Sequence, residues 1–256
     1  MSAVSIRLDS LRRESSASPS SVAALAYHKV AAIPECARHR CNYVTPSQFD
    51  RQLRVLRAAG CQSISFAQYL RFRTGGHALP PRSVLITFDD GYRSNLEIAV
   101  PILQRHGFTA TFFVVAGLLG ATNVWDADEI QEPLLSAGDV RRLHDLGFEI
   151  GSHTLTHAHL TSLDETELAR ELSESKRILE EITTKPVSTL AYPWSEHCPR
   201  VHHAAQNAGY RAGAILRRRT NFDATPLFEL RRIGVNERTS ITRLAWDLAR
   251  LRFRDA

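Results

Sequence analysis

Two adjacent carboxylates, Asp89 and Asp90, close the apolar run Val84-Leu85-Ile86-Thr87-Phe88 and are followed by Gly91. Side by side in a partly buried site, two such charges repel, and one would stay protonated unless a cation compensates them. A metal ion is the economical compensation, and Gly91 permits a tight turn with backbone close to a ligand. The competing reading is an ordinary Asp-Gly turn whose Asp caps a helix from about Ser94. A second polar group, Ser152-His153-Thr154-Leu155-Thr156-His157 with His159 beyond, follows Phe148-Glu149-Ile150-Gly151. The H-x-x-x-H spacing is weak by itself in a chain with 11 histidines. Its place after an apolar run is more telling. There the two imidazoles can join a carboxylate from a neighbouring strand end in a zinc site of two nitrogens and one oxygen with an open position. A zincin helix would carry Glu where Thr154 stands, so that chemistry is excluded.

Two further groups have the same placement. Tyr192-Pro193-Trp194-Ser195 follows Val187-Ser188-Thr189-Leu190-Ala191, and a packed aromatic turn explains it as well as a functional role does. His28-Lys29 follows Ala24-Leu25-Ala26-Tyr27, where a surface histidine is the plain alternative.

Such residues need elements to hold them. Apolar, β-rich runs predict strands over Val22 to Tyr27, Cys61 to Phe66, Val84 to Phe88, Ala110 to Val115, Phe148 to Gly151, Ser188 to Tyr192, Tyr210 to Ile215 and Leu230 to Val235. Helical spacing lies between them. Phe49, Leu53 and Leu56 mark a helix started near Thr45-Pro46 and stopped by Gly60. Leu168, Leu172, Leu179 and Ile182 mark a longer one capped by Asp164, and Ile241, Leu244, Leu248 and Leu251 a last one over Ser240 to Arg254. About eight strands in βα alternation predict an α/β fold, either a single barrel or a doubly wound sheet, with its chemistry at the carboxyl ends of the strands.

The 256 residues, 43% hydrophobic and 23% charged, suit one folded domain over 22–256 and exclude disorder along most of the chain. Charges interrupt every apolar run short of the roughly 18 residues a membrane-spanning helix needs. The net charge of +5 is modest, and its densest run, Arg217-Arg218-Arg219, lacks interleaved aromatics, so no nucleic-acid partner is expected. Cys36, Cys41, Cys61 and Cys198 form no C-x-x-C pair and are expected as unpaired thiols. Residues 1–21, Ser-rich and without an apolar core, are expected as a disordered leader, and the protein as cytoplasmic. The last predicted helix carries Arg243, Arg250, Arg252 and Arg254 beside a stripe that includes Trp246. Packing of that stripe on the barrel is expected over peripheral attachment to anionic lipid.

In order, T-F-D-D-G, H-T-L-T-H and Y-P-W resemble the polysaccharide deacetylase family, also called the NodB-homology domain or carbohydrate esterase family 4. The resemblance covers about Val22 to Val235. The first two motifs are highly specific and the third is degenerate. Tyr27-His28-Lys29-Val30 and Val44-Thr45-Pro46-x-x-Phe49 look most like the subgroup of poly-N-acetylglucosamine deacetylases. The resemblance implies a single distorted (β/α) barrel and a divalent transition metal, usually Zn2+. It also implies hydrolysis of N-acetyl groups on an amino sugar, oligosaccharide or polysaccharide. By position it makes Asp89 the general base and Asp90, His153 and His157 the metal ligands. Trp194 would offer its backbone N–H to the oxyanion, and Tyr192, Pro193 and Trp194 would contact substrate. Two features depart from the family. Ala191 and Ser195 stand where its third motif has Arg and Gly, and the D-x-x-D-W motif that orients that Arg is missing, which leaves the positioning of Asp89 without a residue.

The family's usual acid, a histidine in Leu-x-His near the C-terminus, is also absent, since no histidine follows His203. In the resembling subgroup the corresponding strand opens the domain, which makes His28 the candidate, with His197, His202 and His203 next. First and last strands are neighbours in a closed barrel, so such a shift preserves geometry. Two other classes compete with a deacetylase. A metal-dependent phosphohydrolase would favour D-x-D and Mg2+, which seldom recruits two histidines. A glycan-binding relic without catalysis would account for the missing Arg.

Overall fold

The computed structural model describes residues 21–222 and 224–244. In chain order its strands are β1 (Ser21–Tyr27), β2 (Lys29–Val30), β3 (Tyr43–Val44), β4 (Gln62–Ile64), β5 (Ser83–Phe88), β6 (Thr111–Val114), β7 (Glu149–Ser152), β8 (Thr189–Ala191), β9 (Ala212–Leu216), β10 (Asn221–Phe222) and β11 (Leu230–Gly234). Its α-helices are α1 (Pro46–Ala58), α2 (Phe66–Arg73), α3 (Val100–His106), α4 (Ala137–Asp145), α5 (Glu165–Thr183) and α6 (Pro199–Asn207). Each of the eight expected strands is present, with ends shifted by one or two residues. Cys61 to Phe66 contracts to β4 because Ser65 caps α2. The Ser65 hydroxyl accepts from the Gln68 N–H at 3.1 Å, and the Gln68 amide oxygen accepts from the Ser65 N–H at 2.8 Å. The same reciprocal cap starts α1 at Thr45 and α5 at Asp164, both as expected.

Parallel strands close a ring in the order β1, β11, β9, β8, β7, β6 and β5, and β5 returns to β1 over Ala23↔Val84 to Tyr27↔Phe88. The ring has seven members rather than eight. Strand β4 pairs only with the first half of β5, from Gln62↔Ser83 to Ile64↔Leu85, while β6 takes the second half at Thr87 and Phe88. That split is what distorts the barrel, and closure leaves it no free edge in the ring.

Period-2 alternation separates two cores. Ala23, Leu25, Tyr27, Val84, Ile86, Phe88, Phe112 and Val114 face outward onto the helices, whose stripes include Phe49, Leu53, Leu56, Leu168, Leu172 and Leu179. Val22, Ala24, Leu85, Phe113, Ala191, Ala212, Ala214 and Leu230 fill the interior, plugged at the amino end of the strands by Phe66, Tyr69 and Leu70 of α2. The many interior alanines leave room for large side chains from other strands. A Cβ on Gly151 would come within 2.5 Å of the Phe113 ring, so only glycine fits beneath it.

Among the described residues no helix is long and apolar enough to cross a membrane. The four cysteines form no disulfide among the described residues. Helix begins at 241–244, capped where the Ser240 hydroxyl accepts from the Arg243 N–H, and Leu244 is buried. The rest of that expected helix, with Trp246 and three of its arginines, lies outside the described residues, as do residues 1–20 of the expected leader.

Candidate active site

Every motif singled out by sequence leaves the same end of the barrel. Asp89 and Asp90 follow β5, His153 and His157 follow β7, Trp194 follows β8 and His28 follows β1. These six residues line one cleft of about 350 Å³. Asp90, His153 and His157 converge on each other and are all buried. The Asp90 Oδ1 lies 3.2 Å from His153 Nε2 and 3.4 Å from His157 Nε2. His153 Nδ1 lies 2.8 Å from the Ala191 carbonyl, which can only accept, so Nδ1 carries the proton of the neutral ring. In that neutral form its Nε2 lone pair faces a carboxylate oxygen, acceptor against acceptor, a contact that either a metal ion or a second ring proton relieves. Tetrahedral zinc with bonds of about 2.0–2.1 Å would hold donor atoms about 3.3 Å apart. The residues therefore fit a zinc-class ion. Burial opposes ionisation of Asp90, yet contacts from His153 and His157 hold its carboxyl well below the ordinary value.

The guanidinium absent from the third motif arrives from another strand. Arg232 of β11 is 1% exposed and grips Asp89 bidentately, Nη1 to Oδ1 at 2.5 Å and Nη2 to Oδ2 at 2.8 Å. Its Nη1 also donates to the Thr87 hydroxyl at 3.1 Å, and its charge lies over the Phe113 ring, 5.2 Å from the centroid. Burial acts to raise the Asp89 carboxyl, but Arg232, with His153 behind it, outweighs burial and holds the value below the ordinary one. Asp89 is thus a fixed carboxylate. The His28 Nε2 stands 4.0 Å from Asp89 Oδ2. Buried Asn95 fixes the turn that bears His28, accepting from the Val30 N–H at 3.0 Å and donating to the His28 carbonyl at 2.6 Å.

Backbone strain is concentrated here. Of seven non-glycine residues with positive φ among the described residues, five are Asp90, Thr154, His157, Trp194 and Ser195, all in the exits that form the cleft. Such conformations cost about 1–3 kcal/mol each and persist only where their surroundings impose them. Around the histidines, Glu171 of α5 does so. Its carboxylate accepts from the Leu155 and Thr156 N–H groups, each at 2.9 Å, and from the Thr156 hydroxyl at 2.6 Å. The Thr154 hydroxyl accepts from the His157 N–H at 3.1 Å. At Trp194, φ is +58°, the indole N–H donates to the His157 carbonyl at 3.3 Å, and none of the described hydrogen bonds uses the backbone N–H.

Trp194 is 46% exposed and stacks on His159, with centroids 4.8 Å apart. Trp125, on the long connection from β6 to α4, stacks on His157 at 4.4 Å and lines the same cleft. Of the two other expected substrate contacts, Tyr192 lines the cleft and Pro193 does not. Tyr192 touches the cleft wall, but its ring is buried on the helix side, where its hydroxyl donates to the Phe228 carbonyl at 3.2 Å. Pro193 is buried and is absent from the cleft lining. Both shape the turn that presents Trp194.

Arg232, Glu171, Asn95 and Trp125 were missed from sequence. Alternation in β11 and the helical stripe of α5 carried a signal for the first two: Arg232 shares a face with Leu230, and Glu171 falls among Leu168, Leu172 and Ser175.

Residues 76–213 match the family model described as polysaccharide deacetylase. The protein YxkH of Bacillus subtilis (strain 168) is 25% identical over 170 residues, 66% of this chain and 57% of its own length. A poly-beta-1,6-N-acetyl-D-glucosamine N-deacetylase of Staphylococcus aureus (strain MSSA476) is 28% identical over 163 residues, 60% of this chain and 54% of its own. The chain thus spans little more than half the length of these curated relatives. Among solved structures, the Streptococcus pyogenes deacetylase PplD in complex with acetate shares the fold, with a TM-score of 0.79 at 23% identity over 90% of this chain and 99% of its own.

Proposed function

Because this chain belongs to the polysaccharide deacetylase family, we propose that it is a metal-dependent carbohydrate N-deacetylase. It would remove acetyl groups from an amino sugar, oligosaccharide or polysaccharide. The observation that carries this reading is the convergence of Asp90, His153 and His157 in one cleft with a second, Arg-held carboxylate and an independent histidine. Asp90, His153 and His157 would hold one Zn2+ or similar transition metal. Such an ion supplies Lewis acidity, making water nucleophilic near neutral pH and polarising an acetamide carbonyl.

The chain's own groups supply the rest. Asp89, kept ionised by Arg232, takes the proton from the attacking water. As the carbonyl oxygen gains charge, the uncommitted Trp194 backbone N–H would donate to it. An amine leaves only when protonated, and His28, beside Asp89, is the imidazole that gives its nitrogen that proton. Products are acetate and a free amino sugar. The exposed Trp194 face and Leu216 offer an apolar platform for a sugar ring at the cleft mouth.

The glycan-binding relic loses its main support, since that reading rested on a missing Arg and Arg232 now holds Asp89. The test is acetate release from N-acetylglucosamine oligomers by the full chain, before and after chelation and after Zn2+ is returned. Release that chelation stops and Zn2+ restores is expected. A zinc-loaded, folded protein that releases no acetate from such oligomers would remove the proposal.

A further inference from the structure

A second group of metal-binding side chains lies behind the Tyr192 ring, on the helix side of the barrel wall. His197 follows the β8 exit turn, His202 is the fourth residue of α6, and Glu229 ends the short turn Leu227–Glu229 that leads into β11. One donor atom from each lies within 4.8 Å of the others. The His197 Nδ1 and His202 Nε2 are 3.0 Å apart, with the two rings nearly parallel at 9°. Tyr192 packs on both, with centroids 5.9 and 5.8 Å away. Nitrogens so placed either share one proton or both direct lone pairs at a cation. Glu229 favours the second arrangement. Among the described residues its carboxylate has no hydrogen bond or ion pair, and one of its oxygens lies within 4.8 Å of a ring nitrogen of each histidine.

We propose that His197, His202 and Glu229 form a second transition-metal site, separate from the cleft and selective for zinc-class ions. Two imidazoles and one carboxylate are a borderline donor set, suited to Zn2+, Co2+ or Ni2+ and poorly suited to Ca2+ or Mg2+. The His197–His202 separation of 3.0 Å is close to the roughly 3.3 Å spacing of a tetrahedral shell, and the Glu229 oxygen lies within 4.8 Å of both rings' donor atoms. His202 sits in the opening turn of α6, where the helix end disfavours a protonated ring. The ligands come from segments that reach the cleft. His197 lies three residues after Trp194, and Glu229 three residues before Arg232. An ion here would tie the turn that presents Trp194 to the strand that carries Arg232.

The site is read by counting metal rather than by turnover. Full-length protein is stripped with chelator, dialysed against excess Zn2+, freed of loose ion by gel filtration and assayed by mass spectrometry. The comparison is made in wild type and in an Asp90→Ala/His153→Ala background, where the cleft no longer contributes. In both backgrounds His202→Ala is expected to lower the count by one ion per chain, and Glu229→Gln to weaken retention of that same ion. Zn2+ should also raise Tm in the Asp90→Ala/His153→Ala protein, and should not once His202→Ala is added. Circular dichroism reports whether each variant folds, and Glu229→Gln, close to isosteric, keeps the test open if His202→Ala does not. A count unchanged by His202→Ala or Glu229→Gln in folded protein would overturn the proposal, whatever the total, since surface histidines would then account for the extra ion. Acetate release plays no part, so failure here leaves the deacetylase reading untouched.

Discussion

Arg232→Met removes a buried guanidinium and keeps most of its apolar volume, leaving Asp89 in place without its bidentate partner. Both groups are nearly inaccessible, Arg232 at 1% and Asp89 at 2% exposure, so water cannot take over the lost contacts. Breaking a buried pair from one side costs about 3–5 kcal/mol. At about 2–4 °C per kcal/mol for a chain of this size, Tm should fall by about 6–20 °C. The loss has a pH signature. In the native protein Asp89 titrates below its unfolded value of about 3.9. The paired carboxylate therefore adds stability that is fully present above that pH and lost as pH falls through the depressed native value. Without Arg232, burial is opposed only by the histidines, the Asp89 value rises, and ionising it costs stability as pH climbs. The Tm gap between wild type and Arg232→Met should therefore be small near pH 3 and widest at neutral pH.

The same shift should move the acidic limb of kcat/KM upward, because the base then needs a higher pH to ionise. Arg232→Lys keeps the charge but not the fork and should recover part of both effects. Thermal melts across pH and acetate-release profiles measure them. If Arg232→Met changes Tm by less than about 2 °C and leaves the acidic limb where it was, the guanidinium is not what holds Asp89.

His153→Ala or His157→Ala should abolish cleft metal and activity together, because two remaining ligands hold zinc poorly; stoichiometric cleft zinc in both single variants would refute the ligand assignment. Asp89→Asn should keep that metal and lose turnover, and a near wild-type rate would exclude Asp89 as base. His28→Ala should keep fold and metal while losing about a hundredfold or more in kcat, with the alkaline limb of the pH profile displaced; unchanged kcat and an intact limb would redirect the search for the acid. Glu171→Ala strips three donors of their acceptor and releases the strained 154–157 turn. It should weaken cleft zinc retention while retaining all three ligands, and retention equal to wild type would show that the turn holds itself.

What the sequence reveals of this site divides along one physical line. Asp89, Asp90, His153, His157, Trp194 and His28 each stand within about six residues after an apolar run, and the exit of a parallel strand is a local property readable within about ten residues. Capping boxes at Thr45 and Asp164 are local for the same reason. Arg232 is different. Its partner lies 143 residues away, and Leu230-Arg231-Arg232-Ile233 shows that one arginine must face inward without showing which, or toward what. Trp125 sits on a connection with no period to read, and Asn95 does its work through backbone groups 65 and 67 residues distant.

The relocated arginine follows from how a closed barrel is built. In a ring of parallel strands, a side chain's reach into the site depends on its layer and its inward face, not on its order along the chain. Thr87 and Asp89 point inward from β5, and Arg232 meets both from β11, with β1 between the two strands. Ala191, at the position where the third motif would carry Arg, belongs to the interior cluster and leaves that space open. A guanidinium can thus reach the same carboxylate from either side of the ring, provided the opposing position is small. A pattern that searches for Arg beside the Tyr-Pro turn reports a loss. Searching instead for one inward-facing arginine in any strand recovers it, and His28 likewise enters the cleft from the exit of β1, the strand that joins β11 to β5.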